Sequence, residues 1–283
     1  MRRFIVKCAA ALLLGCAWLP VYAKGGYSKI TLEGDFTSLK ISSAFQVTLE
    51  YSDECTAVIT VPEKYAEYID ADIKGGELSI GLDAGGLKGL FKRLRFNGNE
   101  ELVATVTCPV LEKVRLSGAS YLMIEDSFET ASLRIQVSGA SSLISSGLSG
   151  KGDMDIILSG ASHVRIDDAD YENISAGVSG ASILFFKGSA QVFDIGLSGA
   201  SNSTVEGDFS MLAMELSGAS HMNANGNSAS LQISASGAST VEAREMKAEV
   251  ADVVASGSSD VYIDADKLGN AHSSGASKIV NGH

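Results

Sequence analysis

Three kinds of side chain in this 283-residue chain are of types that do chemistry: repeated serines, clustered aspartates and a few histidines. Serine opens and closes the motif Ser-Gly-Ala-Ser, which begins at Ser117, Ser138, Ser159, Ser179, Ser198, Ser217, Ser236 and Ser274, with a degenerate Ser-Gly-Ser-Ser at Ser256. A serine nucleophile needs one activating base at one place. Nine copies of one motif in a chain with 4 histidines argue for a structural element instead. Asp167, Asp168 and Asp170 are the best calcium candidate, since hard cations take several carboxylate and carbonyl oxygens. An acidic corner facing water accounts for the same three residues with fewer demands, and is the reading adopted. No catalytic residue, metal or cofactor is assigned from the sequence.

The elements that must position these side chains follow from the motif's spacing. Its glycines are Gly118, Gly139, Gly160, Gly180, Gly199, Gly218, Gly237, Gly257 and Gly275, separated by steps of 21, 21, 20, 19, 19, 19, 20 and 18 residues. A period near twenty marks a solenoid, in which each repeat buries its apolar side by stacking on its neighbours. Six, four and two residues before the glycine stand apolar residues, as in Leu133, Ile135 and Val137 or Leu212, Met214 and Leu216. Four and six residues after it stand Leu122 and Ile124, Val164 and Ile166, Leu184 and Phe186. This alternation has period two and specifies strands on both flanks. A looser apolar position follows nine to eleven residues after the glycine (Phe128, Leu148, Tyr171, Phe209, Met246, Leu268), so each coil has three sides.

Stacked parallel strands about 4.8 Å apart give a rod on the order of 40 Å long, and identical positions become columns. In such columns Asp167 and Glu206 both neighbour Lys187, Arg244 neighbours Asp264, and Arg134 stacks on Asp155. Opposite charges on adjacent strands stabilise a sheet. His163 and His221 share a column three coils apart, about 14 Å at the strand spacing, too far for one metal ion. Within the motif, Gly admits backbone angles closed to other residues, Ala lets the wall approach closely, and serines hydrogen-bond from rung to rung.

The chain's other end sets the compartment. Arg2, Arg3 and Lys7 precede an apolar run over residues 8–19, and Val21-Tyr22-Ala23 offers a small-x-small cleavage pattern, so residues 1–23 read as a signal peptide. Leu13-Leu14-Gly15-Cys16 also fits a bacterial lipoprotein box, with Cys16 lipidated; the apolar run continuing past it favours cleavage after Ala23. Contact with a membrane is expected only if Cys16 is lipidated, because no later stretch reaches the ~18 apolar residues of a transmembrane helix. Removing residues 1–23 takes three basic and no acidic residues from a chain carrying 22 Lys and Arg against 34 Asp and Glu, moving the net charge from −12 to about −15. That surface disfavours nucleic acid. Of the 4 cysteines only Cys55 and Cys108 remain, and after export they are either a disulfide or two small buried hydrophobes.

Residues 24–108 keep the alternation without the motif and read as an N-terminal β-region, either a small β-domain or irregular first coils that cap the solenoid, followed by the repeat domain over 109–283. Turns are expected at Gly34-Asp35, Ser52-Asp53 and Gly75-Gly76, and one helical turn after Pro62. A cap is needed because an open parallel edge invites aggregation. Residues 85–99 depart from the acidic background: Lys88, Lys92, Arg93 and Arg95 interleave with leucines and phenylalanines. They are the candidate partner contact, able to hold an anionic saccharide, although a long hairpin whose cations balance nearby acids explains them as well.

The order Gly34-Asp35-Phe36, the strand at 45–51, Gly76-Glu77-Leu78-Ser79-Ile80, and Val106-Thr107-Cys108-Pro109-Val110-Leu111 running into Leu116-Ser117-Gly118-Ala119-Ser120 resembles the head GIN domain of auto-transporter adhesins. The resemblance covers nearly all of the chain after residue 23. It implies a secreted protein of a type common in Bacteroidetes and a right-handed single-stranded parallel β-helix, and it carries over no catalytic residue. The chain ends at His283 without a membrane-barrel domain, so self-translocation is not expected. The resulting expectation is an exported, non-catalytic protein of a Gram-negative envelope, periplasmic or at the cell surface, able to form a homo-oligomer, and binding a glycan or an envelope protein. The rival expectations are a carbohydrate-active β-helix enzyme, whose sugar-stacking groove the 7% aromatic content disfavours, and a periplasmic scaffold or sensor.

Overall fold

A computed structural model describes residues 21–23, 26–83 and 101–282. Strands make up 69% of it and helix 2%, and the stacked parallel strands form a β-solenoid of about 8 turns. The alternation places one set of side chains inside at every level: Leu133, Ile135 and Val137 share a face with Met154, Ile156 and Leu158, in register, and all six are buried. Of the 69% strand content, the coils from His163 onward hold the longest runs, such as Ile183–Leu197 and Asn202–Leu216, where strand passes from one side to the next.

Every motif glycine has φ between +73° and +80°, the left-handed turn that joins the first side of a coil to the second. The turns stack through the backbone, with Ala200 N–H donating to Gly180 O at 2.8 Å and Ala219 N–H to Gly199 O at 2.7 Å. The serines divide the remaining work. The last serine of the motif is buried in every copy but the final one, and in most copies it donates back to the carbonyl of the first, as Ser220 Oγ does to Ser217 O at 2.6 Å. In several copies, at Ser138, Ser179, Ser217 and Ser236, the first serine's hydroxyl reaches the preceding coil, as Ser179 Oγ does to Leu158 O at 3.0 Å. At Gly199 a Cβ would lie 2.7 Å from Gly180 O, so Gly199→Val combines a strained φ with a collision against the coil below. It is expected to lower unfolding free energy by about 2 kcal/mol or more. Gly275→Val meets similar contacts but lies in the last turn, which can fray locally, so chemical denaturation should report a smaller loss there.

The solenoid does not begin at the first motif. Ser38–Ile41 pairs in parallel with Lys113–Leu116, and Gln46–Tyr51 with Tyr121–Ile124, so these two early strands form a coil beneath the first glycine turn. Its turn uses Ser43 and Ala44, both with positive φ, in place of glycine. Beneath that coil lies another made of later residues, Glu77–Leu82 and Val103–Cys108. Spatial order here reverses chain order. The outermost layers switch direction: Ile69–Lys74 runs antiparallel to Glu77–Leu82, and Thr56–Pro62 lies antiparallel between Val103–Cys108 and Tyr27–Glu33. Beyond them Val21–Ala23 pairs with the start of Tyr27–Glu33. The expected helical turn is a 3-10 segment, Glu63–Tyr68, whose Tyr65 is fully buried and closes this end of the core.

Candidate binding surface

The charged columns are the first place where the coils depart from a regular repeat. Arg134 and Asp155 are register partners and form an ion pair at 2.7 Å, as their column predicts. Asp167 does not reach Lys187. The register slips between Ile166 and Ala169, because this coil holds an extra residue that bulges out of the stack. Asp167 is taken instead by Arg165 two residues earlier, through both oxygens, with Nε donating to Oδ2 at 2.8 Å. This carboxylate, beside the guanidinium, holds the Arg165 pKa above its ordinary value. Lys187 lies opposite Glu206, yet among the described residues no carboxylate comes within 4.0 Å of its ammonium. A second slip between Ala243 and Lys247 puts Lys247, not Arg244, opposite Asp264, and Arg244 pairs with Glu242 at 2.7 Å.

Among the described residues the calcium candidate and the histidines do not converge on one site. Asp170 accepts a hydrogen bond from Ser189 Oγ at 2.8 Å, while Asp167 is committed to Arg165. His163 and His221 share the second-side column, separated by Ile183 and Asn202. Among the described residues no three His, Cys, Asp or Glu side chains come together to hold a metal ion. Lys88, Lys92, Arg93, Arg95 and Cys16 lie outside the described residues.

One wall is unlike the others. On the second side, outward positions are occupied by Tyr121 and Met123, then Ile144, then His163 and Arg165, then Ile183 and Phe185, on four stacked coils in register. Ile183 is 43% exposed. The guanidinium of Arg165 lies 4.1 Å from the ring centroid of Phe185, so an aromatic face and a cation meet at one end of the patch. The sequence contained a signal for this patch, the unbroken run Ile183-Leu184-Phe185-Phe186, which violates an alternation kept by neighbouring coils.

The first-side wall differs. Its outward column passes from Arg115 and Gln136 to Ile157, Gly177, Gly196 and Glu215, and the two glycines leave a shallow depression of about 490 Å³ bordered by Ser198 and Ser217. A Cβ at Gly177 or Gly196 would meet nothing within 4 Å. The third side carries a larger open hollow of about 900 Å³ by Phe209, Asn227 and Lys247. Asn227 Nδ2 donates there to Asp208 Oδ1 at 2.6 Å. These surfaces are open walls and hollows suited to contact.

The family model described as putative auto-transporter adhesin, head GIN domain, matches residues 35–207 and 190–282. The chain belongs to this family. Among solved structures, the head GIN chain is similar to a putative adhesin from Bacteroides fragilis NCTC 9343, at 15% identity and TM-score 0.53, covering 92% of this chain and 98% of that one. It is similar to a putative lipid binding protein from Parabacteroides distasonis ATCC 8503, at 16% identity and TM-score 0.54, covering 91% and 98%. A putative adhesin from the same strain matches at 13% identity and TM-score 0.53, covering 90% and 97%. At these identities the likeness is one of fold. No curated protein matches the head GIN chain.

Proposed function

We propose that this protein is an exported, non-catalytic component of the cell envelope, an adhesin-like binding module whose solenoid presents its second-side wall to a glycan or an envelope protein. The observation that carries this reading is the outward patch of Ile144, Ile183 and Phe185 with Arg165 over the Phe185 ring. Apolar side chains on the solvent face of a strand contribute nothing to the core, so a second surface is the natural recipient of their burial. An aromatic ring beside a guanidinium can stack on a sugar ring or anchor a protein contact. Membership of an adhesin-named family, and the dispersal of the candidate carboxylates, weigh toward binding and away from saccharide cleavage.

The test combines location with affinity. Protease shaving of intact cells should remove the protein if it acts at the surface; protection from protease would favour the periplasmic scaffold or sensor. Purified protein should bind immobilised glycans or peptidoglycan sacculi, and the double variant Ile183→Ser, Phe185→Ser should weaken that binding at least about tenfold, the effect of losing ~1.4 kcal/mol of contact. Both side chains point outward, so the variant's melting temperature should stay close to the wild type's. Binding unchanged in the variant would remove this wall from the mechanism, and cleavage of an acidic polysaccharide by the wild type would overturn the non-catalytic assignment.

A further inference from the structure

Cys55 and Cys108 are thiols in this structure, and their strands place them face to face. Thr56–Pro62 and Val103–Cys108 run antiparallel with Thr56 opposite Thr107, so continuing the ladder by one residue sets Cys55 opposite Cys108. The side chains alternate accordingly. Thr56 and Thr107 meet on the outer face, their hydroxyls 2.9 Å apart. The next pair inward along the ladder, Ala57 and Val106, is fully buried, and Cys108 shares that face with no exposure. Cys55 is half-buried against the same core. Thr107 Oγ1 also donates to Glu54 O at 2.9 Å, holding the residue before Cys55 to the partner strand. Directly opposed residues in an antiparallel pair have Cα atoms about 4.5–5.5 Å apart, within the roughly 4.4–6.8 Å that a disulfide spans.

We propose that Cys55 and Cys108 are a cross-strand disulfide site that, when oxidised, ties the antiparallel cap to the outermost parallel coil. The oxidant is a small-molecule or protein disulfide. The Cys55 thiolate attacks one of its sulfurs, forming a mixed disulfide and releasing the first thiolate. Cys108 then loses its proton, attacks the Cys55 sulfur and displaces the second thiol. Two S–H bonds are lost, one S–S bond forms, and the two electrons reduce the oxidant's disulfide to two thiols. Burial, with the neighbouring Cys55 adding to it, pushes the Cys108 thiol up to about 12, so the half-buried Cys55 is the sulfur that attacks first. The bond closes a long loop, from 55 to 108, which is the arrangement in which a crosslink restricts the unfolded chain most.

The experiment uses the purified full-length chain, equilibrated with oxidised glutathione, alkylated under denaturing conditions and mapped by mass spectrometry. The expected result is a peptide linking Cys55 to Cys108 and a melting temperature several degrees above that of the reduced protein, reversed by reductant. Cys55→Ala should abolish both the linked peptide and the shift. Both thiols alkylated after full equilibration, or either one joined to Cys8, Cys16 or another molecule in place of its facing partner, would overturn the proposal. This outcome is independent of whether the protein binds glycans or reaches the cell surface, so its failure would leave the functional reading untouched.

Discussion

Phe193→Ala is expected to destabilise the protein by about 3–5 kcal/mol, the cost of emptying a large aromatic site in a packed core. Phe193 has no exposure, and its ring meets those of Phe186 at 4.8 Å and Phe209 at 5.6 Å, both edge-on. These three rings come from the second, first and third sides of the solenoid, so they tie its walls across the interior. Neighbouring side chains cannot close the void, because every other inward position is held in register by the coils above and below. Phe185→Ala provides the control. That ring is one residue from Phe186 but points out of the wall, and its removal should cost less than about 1 kcal/mol. Equilibrium urea unfolding of the two variants measures the difference, and equal losses would contradict the inward and outward assignment of the two rings.

The second large effect is expected at Gly207, in a column that the motif does not reveal. Gly188, Gly207 and Gly226 lie one above another on successive coils. Gly207 has φ +151°, and a Cβ there would overlap the carbonyl oxygen of Gly188. Since that oxygen belongs to backbone, the collision cannot be relieved by rotating a side chain. Gly207→Ala should therefore cost roughly 3 kcal/mol, from strain and overpacking together. Gly177→Ala should behave oppositely. Gly177 has no positive φ and an added Cβ meets nothing, so replacing it should be neutral or stabilise by up to about 1 kcal/mol through lower chain entropy in the unfolded state. Comparing the two denaturation midpoints tests both statements, and a Gly207→Ala variant as stable as the wild type would show that the column can open to admit a methyl group.

The apolar second-side wall was legible in part. Ile183 and Phe185 stand where alternation calls for polar residues, and the violation can be read without coordinates. Their meeting with Arg165 cannot, because Arg165 belongs to the preceding coil and is brought over the Phe185 ring by strand register. The charge pairs divide along the same line. Arg134 and Asp155 sit in a stretch of unbroken register, and column counting finds their ion pair. Asp167 and Arg244 sit beside slips that move each of them off its counted partner. A count along the chain assumes that each coil spends its residues at the same places. Where a coil is one residue longer, the extra residue goes where packing tolerates it.

The sequence by itself determined that this chain is a β-solenoid, where its coils turn, and which side chains enter the core of its repeats, except in the last coil, where Leu268 of the third-side column is 39% exposed because too little chain stacks above it to cover it. Those features follow from period-two alternation and from glycine at a fixed interval, and both report backbone geometry within a few residues. Only the tertiary structure decided that Glu77–Leu82 and Val103–Cys108 lie beneath the earlier strands Ser38–Ile41 and Gln46–Tyr51, and that Ser43 and Ala44 make a turn in the glycine column. It likewise decided that Cys55 faces the strand bearing Cys108. The physical reason is that local patterning fixes which face of a strand is apolar but not which strand will cover it. That choice is made by burial and hydrogen bonding summed over segments far apart in the chain, and it leaves no periodic mark on either of them.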